Sequence, residues 1–424
     1  MIIYTVQPGD TVFEISQKFG VPATQIAENN ALENPARLPV GLGLFIPADF
    51  ARHTVLPGES LFSIAEIYGL TLNDLLRSNP QIINQSALYP GQSVNIEANP
   101  SLGTPVRLNG YGIVPINSTV LGNTLPYLSY LSVFDYKFDA AGNITTLSSS
   151  TLNTRARSFS TAPLMVLTNI AEQGFSSYVI SSILADARIQ QNFINNILTI
   201  LEEENFYGLN IDIEYIYPSD QAAYNSFLLN ITSQLRSRGY YVSSALAPKT
   251  STTQQGILYE SHDYEFNGRV MDSVTLMTYE WGYTYSSPQA VSPINQVRRV
   301  LDYAVTQIPP EKIFMGIPNY GYDWTLPHIE GSAAKAVTIP NAINLASRFG
   351  AVIQFDMPSQ TPYFYYTDQN VRHVVWFEDA RSVYAKMQLV TEYGLGGVSY
   401  WNINSFYPPM YLIPDELYSI EKIL

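Results

Sequence analysis

Residues 206–215 read Phe206-Tyr-Gly-Leu-Asn-Ile-Asp-Ile-Glu-Tyr215. Within this stretch Ile211 and Ile213 alternate with Asn210, Asp212 and Glu214. Successive side chains of a β-strand point to opposite faces, so the spacing predicts a strand over 206–214 with its three polar groups on one side. Carboxyl groups at i and i+2 on one face repel, and a folded interior carries the pair more easily when one of them keeps its proton. A proton held beside a carboxylate is what an acid needs to cleave a glycoside. The same alternation also describes a strand with one solvated polar edge, and the surrounding sequence decides between the two.

On both sides of this segment apolar runs alternate with helix-like stretches. The candidate strands are 106–114, 127–134, 163–169, 206–214, 241–247, 273–279, 312–318 and 395–401, with clear helical stretches at 184–204, 219–238, 292–308 and 379–393. Strands that are each followed by a helix or a long connection predict an α/β fold, a (β/α)8 TIM barrel spanning 105–424. Such barrels carry their chemistry at the C-terminal ends of the strands, where Asp212 and Glu214 stand on the fourth.

The first hundred residues repeat themselves. Tyr4-Thr-Val-Gln-Pro-Gly-Asp-Thr-Val-Phe-Glu-Ile-Ser-Gln-Lys-Phe-Gly20 matches His53-Thr-Val-Leu-Pro-Gly-Glu-Ser-Leu-Phe-Ser-Ile-Ala-Glu-Ile-Tyr-Gly69. Later, Ile26–Asn30 matches Leu75–Asn79, and Leu38–Ile46 matches Leu88–Ile96. Each unit reads as a short strand, a Pro-Gly turn, two helices and a closing strand. Asp10 or Glu59 stands near the first helix start, where an acid suits the helix dipole. Phe13, Ile15 and Phe19, and likewise Phe62, Ile64 and Tyr68, are expected to form the apolar face, and Gly20 and Gly69 to stop the helix. The units occupy 1–48 and 52–97, and the polar stretch 98–104 links them to the barrel.

Composition narrows the partners. The 424 residues are 46% hydrophobic and 14% charged, which marks a globular chain. With 22 basic against 36 acidic residues the net charge is −14, so the basic footprint of a nucleic-acid binder is missing. Cysteine is absent, which excludes disulfides, thiolate metal sites and a Cys nucleophile. His53, His262, His328 and His373 are scattered without ligand spacing, so no metal site is expected. No apolar run is long enough to span a membrane. The N-terminus lacks the basic and apolar segments of a secretory signal, and none is expected. The 31 Tyr, 19 Phe and 4 Trp suit stacking on sugar rings as well as ordinary cores.

The repeated unit resembles the LysM module, a β-α-α-β fold that binds N-acetylglucosamine-containing glycans. The resemblance implies a groove between the first helix start and the loop after the second helix. In this chain that groove would use Gly9, Asp10, Thr11 and Asn30, and Gly58, Glu59, Ser60 and Asn79.

The barrel resembles glycoside hydrolase family 18, whose fourth-strand motif is Asp-Gly-x-Asp-x-Asp-x-Glu. Tyr207-Gly-Leu-Asn-Ile-Asp-Ile-Glu214 occupies those positions, with Tyr207 and Asn210 departing from the pattern. The resemblance implies that Glu214 protonates the leaving oxygen and that Asp212 orients the substrate acetamide. Asn210 would hydrogen-bond Asp212 and alter the pH profile. Met277-Thr-Tyr279-Glu280 resembles Met-x-Tyr-Asp, which implies that Tyr279 holds the acetamide. Tyr320, in Gly316-Ile-Pro-Asn-Tyr320-Gly, and Trp401, as the floor under the reacting sugar, follow the same pattern. Tyr111, Met277, Glu280 and Asn169 complete the implied substrate contacts. Asn169 lies in Leu167-Thr-Asn169, where many chitinases carry Ser-x-Gly-Gly.

Two LysM-like units followed by this barrel, without a signal segment, resemble the spore cortex-lytic N-acetylglucosaminidases of Bacillus-like bacteria. That resemblance implies a monomer in the coat or cortex region of the spore, or otherwise associated with the cell wall. Its substrate would be peptidoglycan strands containing N-acetylglucosamine, cleaved without metal or cofactor by a retaining, substrate-assisted route. A chitinase and a catalytically silent cell-wall binder are the alternatives. The segment from Trp324 to Trp376 is expected to add only a modest hairpin around Phe355–Tyr366, leaving a shallow, open groove.

Overall fold

Eight parallel strands close on themselves in the order they occur along the chain. They are β1 (Pro105–Ile113), β2 (Tyr130–Lys137), β3 (Ala162–Thr168), β4 (Gly208–Asp212), β5 (Tyr241–Leu246), β6 (Ser273–Leu276), β7 (Ile313–Pro318) and β8 (Gly397–Trp401). The last pairs with the first from Gly397 opposite Arg107 to Trp401 opposite Tyr111, which closes the eight strands into a barrel, and the short Ser419–Ile420 adds beside the start of β1. This is the expected TIM barrel. The computed structural model describes residues 1–47, 51–79, 82, 88–96, 103–145 and 147–424. The module boundary expected at 48 lies outside the described residues, as do the end of the second unit at 97 and positions 98–102 of the linker.

The alternation along β4 has the anticipated effect. Leu209, Ile211 and Ile213 are buried in the main apolar core, while the even positions point into the barrel. Gly208 is required by the crowding of the sheet, since a Cβ there would lie 2.1 Å from the Tyr241 carbonyl oxygen. Inside the barrel the side chains form layers. Tyr130, Tyr207 and Tyr241 gather at the N-terminal end, with Tyr130 stacked on Tyr241 at 5.1 Å. Tyr207 is therefore a packing residue. Above it Asn109 links Ser132 and Ser399, at 2.9 and 2.8 Å.

Two elements differ from expectation in ways the local chemistry explains. The second strand begins at Tyr130 because Leu125–Tyr127 forms a short 3-10 turn with Pro126 in its first turn. The stretch expected as one helix over 184–204 is two, Ser177–Ala185 and Ala187–Glu203. Asp186 is extended there, and its carboxylate accepts from the amides of Arg188 and Ile189, which starts a new helix.

The segment between β7 and β8 is larger than the modest hairpin expected. It forms a five-stranded antiparallel sheet in the order Lys335–Thr338, Tyr320–Leu326, Val371–Trp376, Thr361–Asp368 and Gln354–Asp356, with the helix Ile339–Phe349. The hairpin is present, Phe355 pairing with Pro362, but as one edge of this sheet.

Each N-terminal unit has the β-α-α-β order. The first comprises Ile2–Thr5, Val12–Phe19, Ala23–Asn29 and Gly43–Ile46, and the second Ala51–Thr54, Leu61–Tyr68, Leu72–Arg77 and Ser93–Ile96. Thr11 and Ser60 cap the first helices, and Gly20 and Gly69 end them in the left-handed conformation. Phe13 and Phe62 do not join the apolar face as expected. They are 66% and 60% exposed, because the helical period turns Val12 and Ile15, and Leu61 and Ile64, inward instead.

Both units pack on the barrel. Gly41 of the first lies so close to Ile353 that a Cβ would sit 1.9 Å from its carbonyl oxygen, and the Gly43 amide donates to Asp379 Oδ2 at 2.9 Å. Arg77 of the second pairs through Nε with Asp415 at 2.8 Å, and the Tyr127 hydroxyl donates to the Arg77 carbonyl.

Candidate active site

A cleft of about 750 Å³ opens at the C-terminal end of the barrel. Asp212, at the end of β4, and Glu214, two residues further, both line it, together with Tyr111, Met277, Tyr279, Glu280 and Trp401. The strand and loop ends thus bring seven of the expected residues into one space.

Three others act at one remove. Asn210 is buried a layer below, accepting from the Tyr111 hydroxyl at 3.0 Å and donating to Ser243 Oγ at 2.8 Å. Its amide is thus committed to Tyr111 and Ser243, and the expected bond to Asp212 is replaced by these. Asn169 is fully buried behind Glu214 and meets its backbone, donating to the Glu214 carbonyl at 2.8 Å and accepting its amide at 3.0 Å. It positions the chain where a substrate contact was expected. Tyr320, on the first strand of the inserted sheet, donates its hydroxyl to Glu280, which also accepts from Tyr322 at 3.1 Å. The insert therefore braces one wall of the cleft.

Burial and mutual repulsion shape the electrostatics. Removal from water, then the negative charge of Asp135, push the Asp212 carboxyl up to about 7. Burial first and Asp212 second hold Glu214 well above the ordinary carboxylate range. Both effects oppose a second negative charge and so favour a proton held on the pair. Asp212 Oδ1 is buried without a hydrogen-bond partner among the described residues. Trp401 is held edge-on by Phe134 at 4.9 Å and Tyr111 at 5.6 Å. Tyr279 packs on β7 at Gly316, where a Cβ would lie 2.7 Å from the tyrosine ring.

Several residues of this site carry no signal in local spacing. Asp135 lies in a bulge of β2, where the register with β3 shifts between Val133 and Tyr136. Phe175, on a short hairpin strand after β3, and Tyr215, Tyr259, Trp281 and Tyr283, from loops, give the cleft aromatic walls.

In the N-terminal units Gly9 and Gly58 are exposed with φ of +92° and +88°, beside the helix caps Thr11 and Ser60. Asp10 and Glu59 each accept a backbone amide three residues back, from Gln7 and Leu56. Asn30 and Asn79 are buried and tie the second helix to the closing strand: Asn30 donates to the Ile26 and Phe45 carbonyls, Asn79 to those of Leu75 and Asn95. Their expected place in a groove is corrected, because both amides are enclosed by backbone.

The fold and cleft define a glycosidase barrel with two small N-terminal modules, and comparison with known proteins agrees. Residues 125–405 match the glycosyl hydrolases family 18, and residues 4–47 and 53–97 match the LysM domain. The chain belongs to glycosyl hydrolases family 18. It is 38% identical to the cortical fragment-lytic enzyme of Bacillus subtilis over 100% of this chain and 99% of that one. It is 32% identical to the putative sporulation-specific glycosylase YdhD of the same organism, over 100% of both chains. The spore cortex-lytic enzyme SleL of Bacillus megaterium superposes with a TM-score of 0.84 at 35% identity, covering 99% of this chain and 98% of the other. Among the described residues no helix is long and apolar enough to cross a membrane.

Proposed function

We propose that this chain is a retaining, substrate-assisted N-acetylglucosaminidase that cleaves the peptidoglycan of the spore cortex. The observation that carries the reading is the placement of Glu214 beside Asp212 in the cleft at the C-terminal end of the barrel, where burial and the neighbouring carboxyl hold Glu214 above the ordinary carboxylate range. In this route the acetamide oxygen of the bound sugar attacks its own anomeric carbon. The bond to the leaving oxygen breaks as Glu214 donates its proton to that oxygen. Glu214, now a carboxylate, takes a proton from water, and the water oxygen opens the cyclic intermediate with overall retention.

Asp212 Oδ1, buried and unpartnered, suits the acetamide N–H, and its charge offsets the positive intermediate. Tyr279 would hold the acetamide oxygen, and Trp401 would form the floor. The cortex as substrate is supported by the names of the relatives and by two LysM modules, whose exposed Phe13 and Phe62 flank the helix caps and would lie against glycan. The site of action would be the spore.

Mass spectrometry of digested spore cortex tests this reading. Fragments ending in reducing N-acetylglucosamine are expected, and Glu214→Gln should abolish their release while glycan binding persists. Release of N,N′-diacetylchitobiose from chitin with intact cortex would establish a chitinase instead.

A further inference from the structure

β4 is paired on both sides only as far as its ladder runs. Its register with β5 ends at Ile211 opposite Ser244, and with β3 at Asp212 opposite Thr168. The peptide that joins the Ile213 carbonyl to the Glu214 amide lies beyond both ladders, yet it carries the side chain that must deliver the proton. Two buried side chains hold it. The Glu214 amide donates to Asn169 Oδ1 at 3.0 Å, and the Ile213 carbonyl meets His262 Nε2 at 3.0 Å.

The partners of His262 determine its tautomer. The Ala247 amide can only donate, and it lies 2.8 Å from Nδ1, so Nδ1 carries no hydrogen. The Ile213 carbonyl can only accept, so Nε2 carries it. The ring is neutral and joins the exit of β5 to the peptide before Glu214. His262 is itself fixed: its carbonyl accepts from Lys249 Nζ at 3.0 Å and its amide donates to Tyr259. Tyr264, two residues on, donates its hydroxyl to the Ala247 carbonyl at 2.6 Å and accepts the Lys249 amide.

We propose that His262 is a positioning residue for the catalytic acid, gripping with Asn169 the two ends of one peptide and so fixing the origin of the Glu214 side chain. The inference rests on the reading of Glu214 as the acid. A proton donor misplaced by about 1 Å can lose about a hundredfold in rate, so a grip on its backbone governs chemistry more than substrate affinity.

Two substitutions in the full chain separate the contacts. The amide of His262→Asn reaches the position of Nδ1 and keeps the Ala247 bond but cannot reach Ile213. That of His262→Gln reaches the position of Nε2 and keeps the Ile213 bond. With purified cortex fragments as substrate, His262→Asn should lower kcat about 10- to 100-fold with KM within about twofold, and shift the alkaline limb of the kcat pH profile that reports Glu214. His262→Gln should recover most of the rate.

Equal loss in both variants, or a folded His262→Asn protein with unchanged kcat and pH profile, would overturn the proposal. Should His262→Asn fail to fold, Asn169→Ala releases the other end of the same peptide, and wild-type kcat in that variant would overturn it as well. Glu214→Gln run in parallel distinguishes the two failures. If it stays active, the acid assignment falls; if it is inactive while the His262 variants turn over normally, only the positioning role falls.

Discussion

In the proposed mechanism Asp212 sets catalysis against stability, and Asp212→Asn measures both. The folded chain raises its carboxyl from 3.8 to about 7. A carboxyl that holds its proton more tightly when folded contributes fully below pH 3.8 and loses that contribution as pH climbs to about 7. At about 1.36 kcal/mol per unit, the ionised group costs the folded state up to about 4 kcal/mol above that window. Asparagine keeps the shape and cannot ionise, but its amide replaces an oxygen that has no partner, a loss of about 1–3 kcal/mol at any pH. The variant should therefore be about 1–3 kcal/mol more stable than the wild type at pH 8 and less stable by a similar amount at pH 4. Thermal unfolding followed by tryptophan fluorescence should show the order of the two proteins reversing between these pH values, by a few degrees each way. Hydrolysis of cortex fragments should fall at least about 100-fold in the same variant. A variant that melts below the wild type by one constant margin at both pH values would refute the account of Asp212 as a strained, ionisable group.

Asn210→Asp places another carboxyl two positions before Asp212, between the Tyr111 hydroxyl and Ser243. It should move the acid limb of kcat/KM upward by about one pH unit, and an unmoved limb would show that the positions do not interact. Arg77→Ala leaves Asp415, which is only slightly exposed, without this ion pair, at a cost of about 1–3 kcal/mol. Limited proteolysis should then cut the second LysM module faster while turnover of short soluble glycans stays within about twofold, and an unchanged cleavage rate would argue against docking through this pair.

The barrel was legible because its signals are local. Alternation in 206–215, apolar runs at the other strands and the duplicated first hundred residues each depend on neighbours in sequence. What stayed hidden depends on closure. His262 lies far along the chain from Ile213, and only the adjacent exits of β4 and β5 bring its ring to that carbonyl. Asn169 could be placed on the third strand by inspection, but its bonds to the Glu214 backbone follow from the path of the chain after β4 ends. Asn30 and Asn79 sat at matching positions in both repeats, and position alone does not distinguish a groove residue from a buried brace. Phe13 and Phe62 were misplaced for a simpler reason, one helical step.

Asn210 was the departure from the family motif that most threatened the reading of the site, and the structure shows why it need not empty the site of charge. The motif sets its carboxyls in a row along one strand. Here the 210 side chain is neutral and spent on Tyr111 and Ser243, which tie β4 to β1 and β5. Asp135 enters from the bulge in β2, and its charge acts on Asp212 after the effect of burial. Lys137 pairs with Asp135 at 3.6 Å and not with Asp212. Repulsion that favours a proton on the Asp212–Glu214 pair thus comes from Asp135 on β2 as well as from along the strand. On the proposed reading of Glu214 as the acid, the pair is prepared without a carboxyl at 210, and the bonds from Asn169 and His262 to the peptide before Glu214 fix where that acid stands.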